Sequence, residues 1–439
     1  MNSIAANTPA PDETALSDHD WQHRLERIAN DPRMGESNIR AQGVIGKLGM
    51  PMLLIGAIGL AVMIIGGFSM NFRHALAAFE VGVFTTLAMS LGSIFFLLVF
   101  HSLNAGWVIT CRRVFENMAS IVWFPWLCLV GVLLIEIASG GVMLAWLGSE
   151  SNHLLEKKAP YLNPGFFIVR VLIYGAVWIF LGQRFAWLSR KGDETGDRAL
   201  GRKARFTAGW GILLFALTTA FASFDFLMSM DYRFFSTMFG VYFFASCALA
   251  SVSAVVLVLA VLRSRGKLDG LVTEEHFHDL GKLMFAFTVF WGYIAFSQYF
   301  LIWYSNIPEE TMWYTYRKSN GWMWLFAFLC VGHFIVPFMI IIWRGVKRSM
   351  FLLGVMALFL VLVTVADMVW IIRPMVYTEK VVADGLANPG TIGIVLDVAG
   401  VLGVLGVWGF LLTRAIEKGY LLPTKDPMLH ESMSHKNYV

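Results

Sequence analysis

The stretch MFLLGVMALFLVLVTVADMVWII, residues 350–372, decides what kind of protein this is. Its one ionisable side chain is Asp367. At 1.5 Å per residue, a helix over this stretch is about 35 Å long, enough to cross a ~30 Å hydrocarbon core. A carboxylate inside such a run costs roughly 2.5–3.5 kcal/mol on insertion scales. Residues of this kind normally face a bundle interior or a water-filled path.

Nine further runs read the same way: 48–69, 76–101, 119–146, 165–188, 206–228, 236–262, 283–304, 321–343 and 391–413. The third is the least regular, with Pro125 early and Gly140-Gly141 late. Composition agrees, at 57% hydrophobic and 15% charged, against about 45–50% and 25% in soluble domains. The expectation is an all-α polytopic membrane protein with ten transmembrane helices. A polar segment, 1–47, precedes the membrane domain, 48–413, and a tail, 414–439, follows it. The first 20 residues read as disordered, and Trp21 to Arg40 as a polar helix lying on the membrane. No cleavable signal peptide is expected, because 47 polar residues precede the first apolar run.

The net charge of +4 is modest, and the basic residues cluster at helix ends, so nucleic acid is not an expected partner. Of the 34 Lys and Arg, 24 fall in the N-terminus, the C-terminus and the loops after even-numbered spans, and 8 fall in the opposite loops. The positive-inside rule then makes both termini cytoplasmic and the Glu309–Arg317 loop periplasmic. The aromatic segment from Trp303 to Trp324 reads as an interfacial belt.

Cofactor ligands are hard to find. Cys111, Cys128, Cys247 and Cys330 form no C-x-x-C pair, so iron–sulfur and c-type haem attachment lack support. Only His101 and His333 are expected in or at spans, at depths about half a membrane apart, which disfavours a shared b-type haem. The chain is expected to bind no cofactor of its own.

The polar residues inside the spans can be ordered by depth. Glu136, Asp367 and Asp397 each fall roughly 10 Å below the outer boundary at 1.5 Å per residue. Asp225 lies closer to that boundary, where it can cap a helix turn or pair with Arg233. Arg170 and Arg373 are available as partners or as snorkelling side chains. His333 is central, and His101, Arg184 and Lys282 lie in the inner half. Pro337 removes the helical donor for the His333 carbonyl, and Pro125 does the same for Ile121. Tyr293, Ser297 and Tyr304 share one face of the seventh span, with Gln298 and Tyr299 beside it. Glu136, Asp225, His333, Asp367, Asp397, His101, Arg184, Tyr293 and Ser297 are therefore candidates for a proton path. Interhelical hydrogen bonding is the plainer alternative for the polar stripe.

Three stretches resemble one family: HSLNAGWVITCRR from His101, ASFDFLMSMDYRFFSTMFGVYFF from Ala222 to Phe244, and FTVFWGYIAFSQYFLIWYSNIPEETMWY from Phe287 to Tyr314. They resemble the smaller polysulfide-reductase-like (NrfD-like) membrane subunit of alternative complex III, its F subunit, over roughly residues 45–415. The resemblance implies two four-helix bundles flanked by one helix at each end, in a bacterial cytoplasmic membrane. It implies partners: a larger NrfD-like C subunit, an iron–sulfur B subunit, haem c subunits and other small membrane subunits. Such a complex oxidises a quinol, menaquinol among them, and reduces a cytochrome c or an oxidase. It leaves three roles open for this chain: a cofactor-free scaffold with a proton path, a quinone-binding subunit, or, in a different class, a secondary transporter. A transporter would show discontinuous helices, broken at paired positions in the two halves.

Overall fold

The computed structural model describes residues 17–41, 43, 45–149, 153–318, 321–376 and 391–437. The described residues form helices joined by turns and loops, with no strand among them beyond one isolated bridge between Arg40 and Tyr420. Among the described residues, ten helices are long and apolar enough to cross a membrane: Gly46–Ser69, Phe72–Ser102, Ile109–Ser139, Pro164–Thr195, Ala199–Met230, Met238–Ser264, Glu274–Ser305, Trp322–Ile341, Met350–Met375 and Gly393–Glu417. They are called the first to tenth spans below.

Local chemistry sets several of the ends. Asn71 caps the second span by accepting from the His74 amide at 3.0 Å. Asn163, followed by Pro164, opens the fourth span and accepts from Phe166 at 2.8 Å. Ser349 caps the ninth. In each case a side-chain oxygen satisfies one of the amides a helix start leaves without a partner.

The third span departs from its expected bounds, 119–146. It begins at Ile109 and stops at Ser139, because Gly140 and Gly141 both take positive φ, 71° and 94°, and close the helix. Its first turns carry Arg112, Arg113 and Glu116, which look like loop residues in the sequence. They are buried because they pair. Arg112 binds Glu116 at 3.0 Å and Asp426 at 2.6 Å, and Arg113 binds Asp193 at 2.6 Å. A break at 121–122 separates this part from Trp123–Ser139. The Ile121 carbonyl is not left free by Pro125, since it accepts from the Phe124 amide at 3.1 Å.

Packing runs through the second span, which is buried along almost its whole length. The second, third, fourth and fifth spans pack in a closed ring of neighbours. The sixth to ninth do the same, and the rings meet where the second span lies against the sixth. A Cβ on Gly92 would collide with the Cys247 carbonyl there, so only glycine permits this approach. The first and tenth spans pack on each other, with the tenth against the second. Their contact is backbone to backbone: a Cβ on Gly59 would lie 2.6 Å from the Ala399 carbonyl.

The N-terminal segment does not form one helix lying apart on a membrane. It is helical over Asp18–Ala29, turns at Pro32, and buries Trp21, Ile28 and Ile39 against the rest of the chain. Arg33 donates to the carbonyls of Gly270 and Met433, and Leu421 donates to Ile39. The N-terminal segment, the loop at 265–273 and the C-terminal tail therefore meet at one end, called the basic end here. The first 16 residues lie outside the described part.

Candidate functional site

Asp367 sits at the centre of the ring formed by spans six to nine. It is fully buried and accepts from the Tyr242 hydroxyl and from Ser246 Oγ, the latter at 2.8 Å. Both donors come from one face of the sixth span, one turn apart. The Trp291 indole N–H lies beside the same carboxylate.

On its other side, Trp291 lies against His333, with ring centroids 3.6 Å apart and planes tilted by 30°. His333 is fully buried, and neither ring nitrogen has a hydrogen-bond partner. It belongs to a π-helical turn, Cys330–Ile335, immediately before Pro337. Such turns insert one residue and re-aim side chains, and they recur at functional sites. A buried imidazole with both nitrogens unsatisfied calls for water or a ligand.

A cavity of about 460 Å³ opens beside this pair. Its wall is aromatic, with Tyr242, Trp291, Tyr299, Tyr314, Phe326 and Trp370, and Gln298 supplies an amide. Gln298 donates to the Tyr314 hydroxyl at 3.3 Å. The helix Pro308–Lys318 covers the outer end and buries Trp313, Tyr314 and Arg317. The Arg317 guanidinium stacks on Trp313 at 3.4 Å and donates to the carbonyls of Trp370 and Ile371, with no acidic partner among the described residues. Burial pulls its pKa down to about 9. The aromatic belt expected from Trp303 to Trp324 is thus split: Trp303, Tyr304 and Trp324 are exposed, and Trp313 and Tyr314 form a lid.

The other expected residues have separate partners. Asp225 is clamped by Arg170, which donates twice at 2.8 and 2.9 Å, and by the Tyr174 hydroxyl at 2.6 Å. Its ion-pair partner is therefore Arg170, one span away, and not Arg233. Glu136 folds over the end of its own helix and accepts from the amides of Met143 and Leu144 at 2.9–3.1 Å. Asp397 pairs with Arg373 at 2.9 Å and approaches His74 Nε2 at 3.4 Å.

Of the inner residues, His101 stacks on Phe185 at 5.0 Å, and Arg184 lies over Trp187 at 5.4 Å, so neither joins the Asp367 group. Tyr293 and Tyr304 are 64% and 77% exposed, and Ser297 lies between faces. That stripe points outward. Tyr293 only borders the cavity, and the inward face is Trp291, Ile294 and Gln298.

Two residues escape the sequence reading. His74, at the start of the second span, is fully buried, with Nε2 2.9 Å from the Gly393 carbonyl and close to Arg373. Glu80, on the second span, is buried with one carboxylate oxygen lacking a hydrogen bond, in electrostatic reach of Glu136 and Arg73. Glu80 carries the same signal as Glu136, a carboxylate within an apolar run.

The chain matches no protein-family model and no curated protein. The functional reading therefore rests on the geometry and on the three sequence stretches.

Proposed function

We propose that this chain is a membrane subunit of a quinol-oxidising respiratory complex of the alternative complex III type, and that it relays protons through the ring of spans six to nine. The carrying observation is Asp367 held by Tyr242 and Ser246, with Trp291 beside it and an unpartnered His333 stacked on the far side of that indole. A carboxylate bonded only to neutral donors, deep in a span, is a place where a proton can rest. The imidazole beyond Trp291, able to accept at one nitrogen and donate at the other, is the next titratable group, and water would have to bridge the two. The two rings of four spans support the two-bundle arrangement that the family resemblance implies. In this reading the chain lies in a bacterial cytoplasmic membrane with the basic end inside. It holds no redox centre of its own. Its partners are a larger NrfD-like subunit, an iron–sulfur subunit and haem c subunits.

A second reading has its own support. The aromatic cavity suits a planar quinone ring between aromatic faces, with Tyr314 and Gln298 available to its oxygens. Tyr242 both lines the cavity and bonds Asp367, so a quinol proton has a direct acceptor. The transporter reading has less. The break at 121–122 leaves the Ile121 carbonyl bonded and Ser120 accepting from Gln183 at 2.7 Å, and the eighth span stays helical through its π turn. Neither gives the unwound backbone that coordinates a transported substrate.

Mass spectrometry of the native assembly tests the assignment. Co-purifying haem c and iron–sulfur subunits are expected. A chain recovered alone or only with copies of itself would contradict it.

A further inference from the structure

At the basic end a second cavity, of about 450 Å³, opens between the ends of the second, fourth and fifth spans and is floored by the C-terminal tail. Six basic and four acidic residues line it. Two of the acids are already neutralised: Asp193 by Arg113 at 2.6 Å and Asp426 by Arg112 at 2.6 Å. A third, Asp197, caps the Ala199 amide at 2.8 Å. Against these stand Arg24, Arg202 and Arg205, none with an ion pair to a described residue. The cavity therefore holds uncompensated guanidinium charge, and guanidinium groups match phosphate oxygens in geometry as well as charge.

The rim of this cavity continues into apolar surface. Phe206 follows Arg205 on the fifth span and is 77% exposed, and Trp210 is exposed one turn deeper. Trp187 and Phe180 are exposed on the facing fourth span, and Phe180 and Trp210 touch, with centroids 5.9 Å apart. The basic cavity thus lies beside exposed aromatic side chains on the fourth and fifth spans.

We infer that this cavity is a binding site for an anionic phospholipid, its phosphate held by Arg24, Arg202 and Arg205 and its acyl chains lying along Phe180, Trp187, Phe206 and Trp210. A soluble phosphate would use the arginines and leave the apolar groove unused, so the lipid accounts for more of the surface. Basic pockets between spans are known places for such headgroups. The lipid would also brace the N-terminal segment, since Arg24 lies on its first helix and the other arginines on the fifth span.

The full-length protein in nanodiscs of phosphatidylcholine, with and without phosphatidylglycerol, is the test system. Retained phosphatidylglycerol is counted by native mass spectrometry, and thermal unfolding is followed in parallel. Wild-type protein is expected to retain phosphatidylglycerol and to melt higher in its presence. Arg202→Gln with Arg205→Gln should weaken retention by about 30-fold, taking about 1 kcal/mol per basic residue near a charged lipid. Both side chains are exposed, so the fold should persist. Arg344→Gln with Lys418→Gln, which removes two charges elsewhere at the same end, should leave retention unchanged. Equal loss in both double variants would mean general surface attraction and would overturn the site. Stabilisation by inorganic phosphate alone, equal to that by phosphatidylglycerol, would assign the cavity to a soluble anion and overturn the lipid.

Discussion

The indole of Trp291 on the seventh span and the imidazole of His333 on the eighth lie 3.6 Å apart, centroid to centroid, and the imidazole has no hydrogen bond. The stack fixes the ring while leaving both nitrogens chemically available. His333→Phe keeps the aromatic contact and removes the nitrogens. It should assemble and melt like wild type, while membrane-potential formation falls several-fold. Potential formation equal to wild type would remove His333 from the path.

Asp225 and Arg170 form a buried, bidentate pair, and losing either partner leaves a charge in an apolar interior. Asp225→Ala and Arg170→Ala should each destabilise the protein by about 3–5 kcal/mol. The paired replacement Asp225→Leu with Arg170→Met should cost much less than either alone, because no unpaired charge remains. Thermal unfolding in detergent measures this. Equal losses in all three variants would mean that packing, and not charge pairing, holds this site.

Glu80 and Glu136 should respond in opposite ways. Glu136 fastens the segment after Gly140 by accepting from two amides, so Glu136→Ala should cost about 1–3 kcal/mol of stability and lower the melting temperature. Glu80 has an unsatisfied oxygen, so Glu80→Gln should melt at or above the wild-type temperature. A marked fall for Glu80→Gln would show that its charge is paired in a way the geometry does not reveal.

The N-terminal clamp should loosen in acid. Asp31 accepts from Arg33, and that hydrogen bond holds its carboxyl below the ordinary aspartate value. Because the folded pKa is depressed, the contribution is complete above the usual carboxylate range and is lost as pH falls through the lowered value. The pair is partly exposed, so the effect is local and small. Hydrogen-exchange protection over residues 17–41, corrected for the intrinsic rate at each pH, should fall between pH 6 and pH 3 more than it does in Asp31→Asn. Matching pH dependence in both proteins would rule the pair out.

The spans and the burial of Asp367 were legible from hydropathy alone, because a single carboxylate in an apolar run stands out. What hid was whatever depends on pairing. Arg112, Arg113 and Glu116 read as loop because their charges cancel only in three dimensions. The end of the third span was obscured because Gly140 and Gly141 score as apolar, although their positive φ stops the helix. His74 was missed because the second span begins before the apolar run does. Tyr293 and Ser297 share a face, as helical periodicity requires, but periodicity cannot say which face turns inward.

Asp367→Asn in the assembled complex tests the central claim most directly. Asparagine keeps the size of the side chain, accepts from one of Tyr242 and Ser246 with its single oxygen and can donate its amide to the other hydroxyl, but it cannot take up a proton. Quinol turnover and membrane-potential formation are measured side by side in proteoliposomes. The account predicts that potential falls several-fold while turnover is largely kept. Turnover and potential both unchanged, with the complex intact, would contradict the relay, and a proportional loss of both would move the site to the quinone reading.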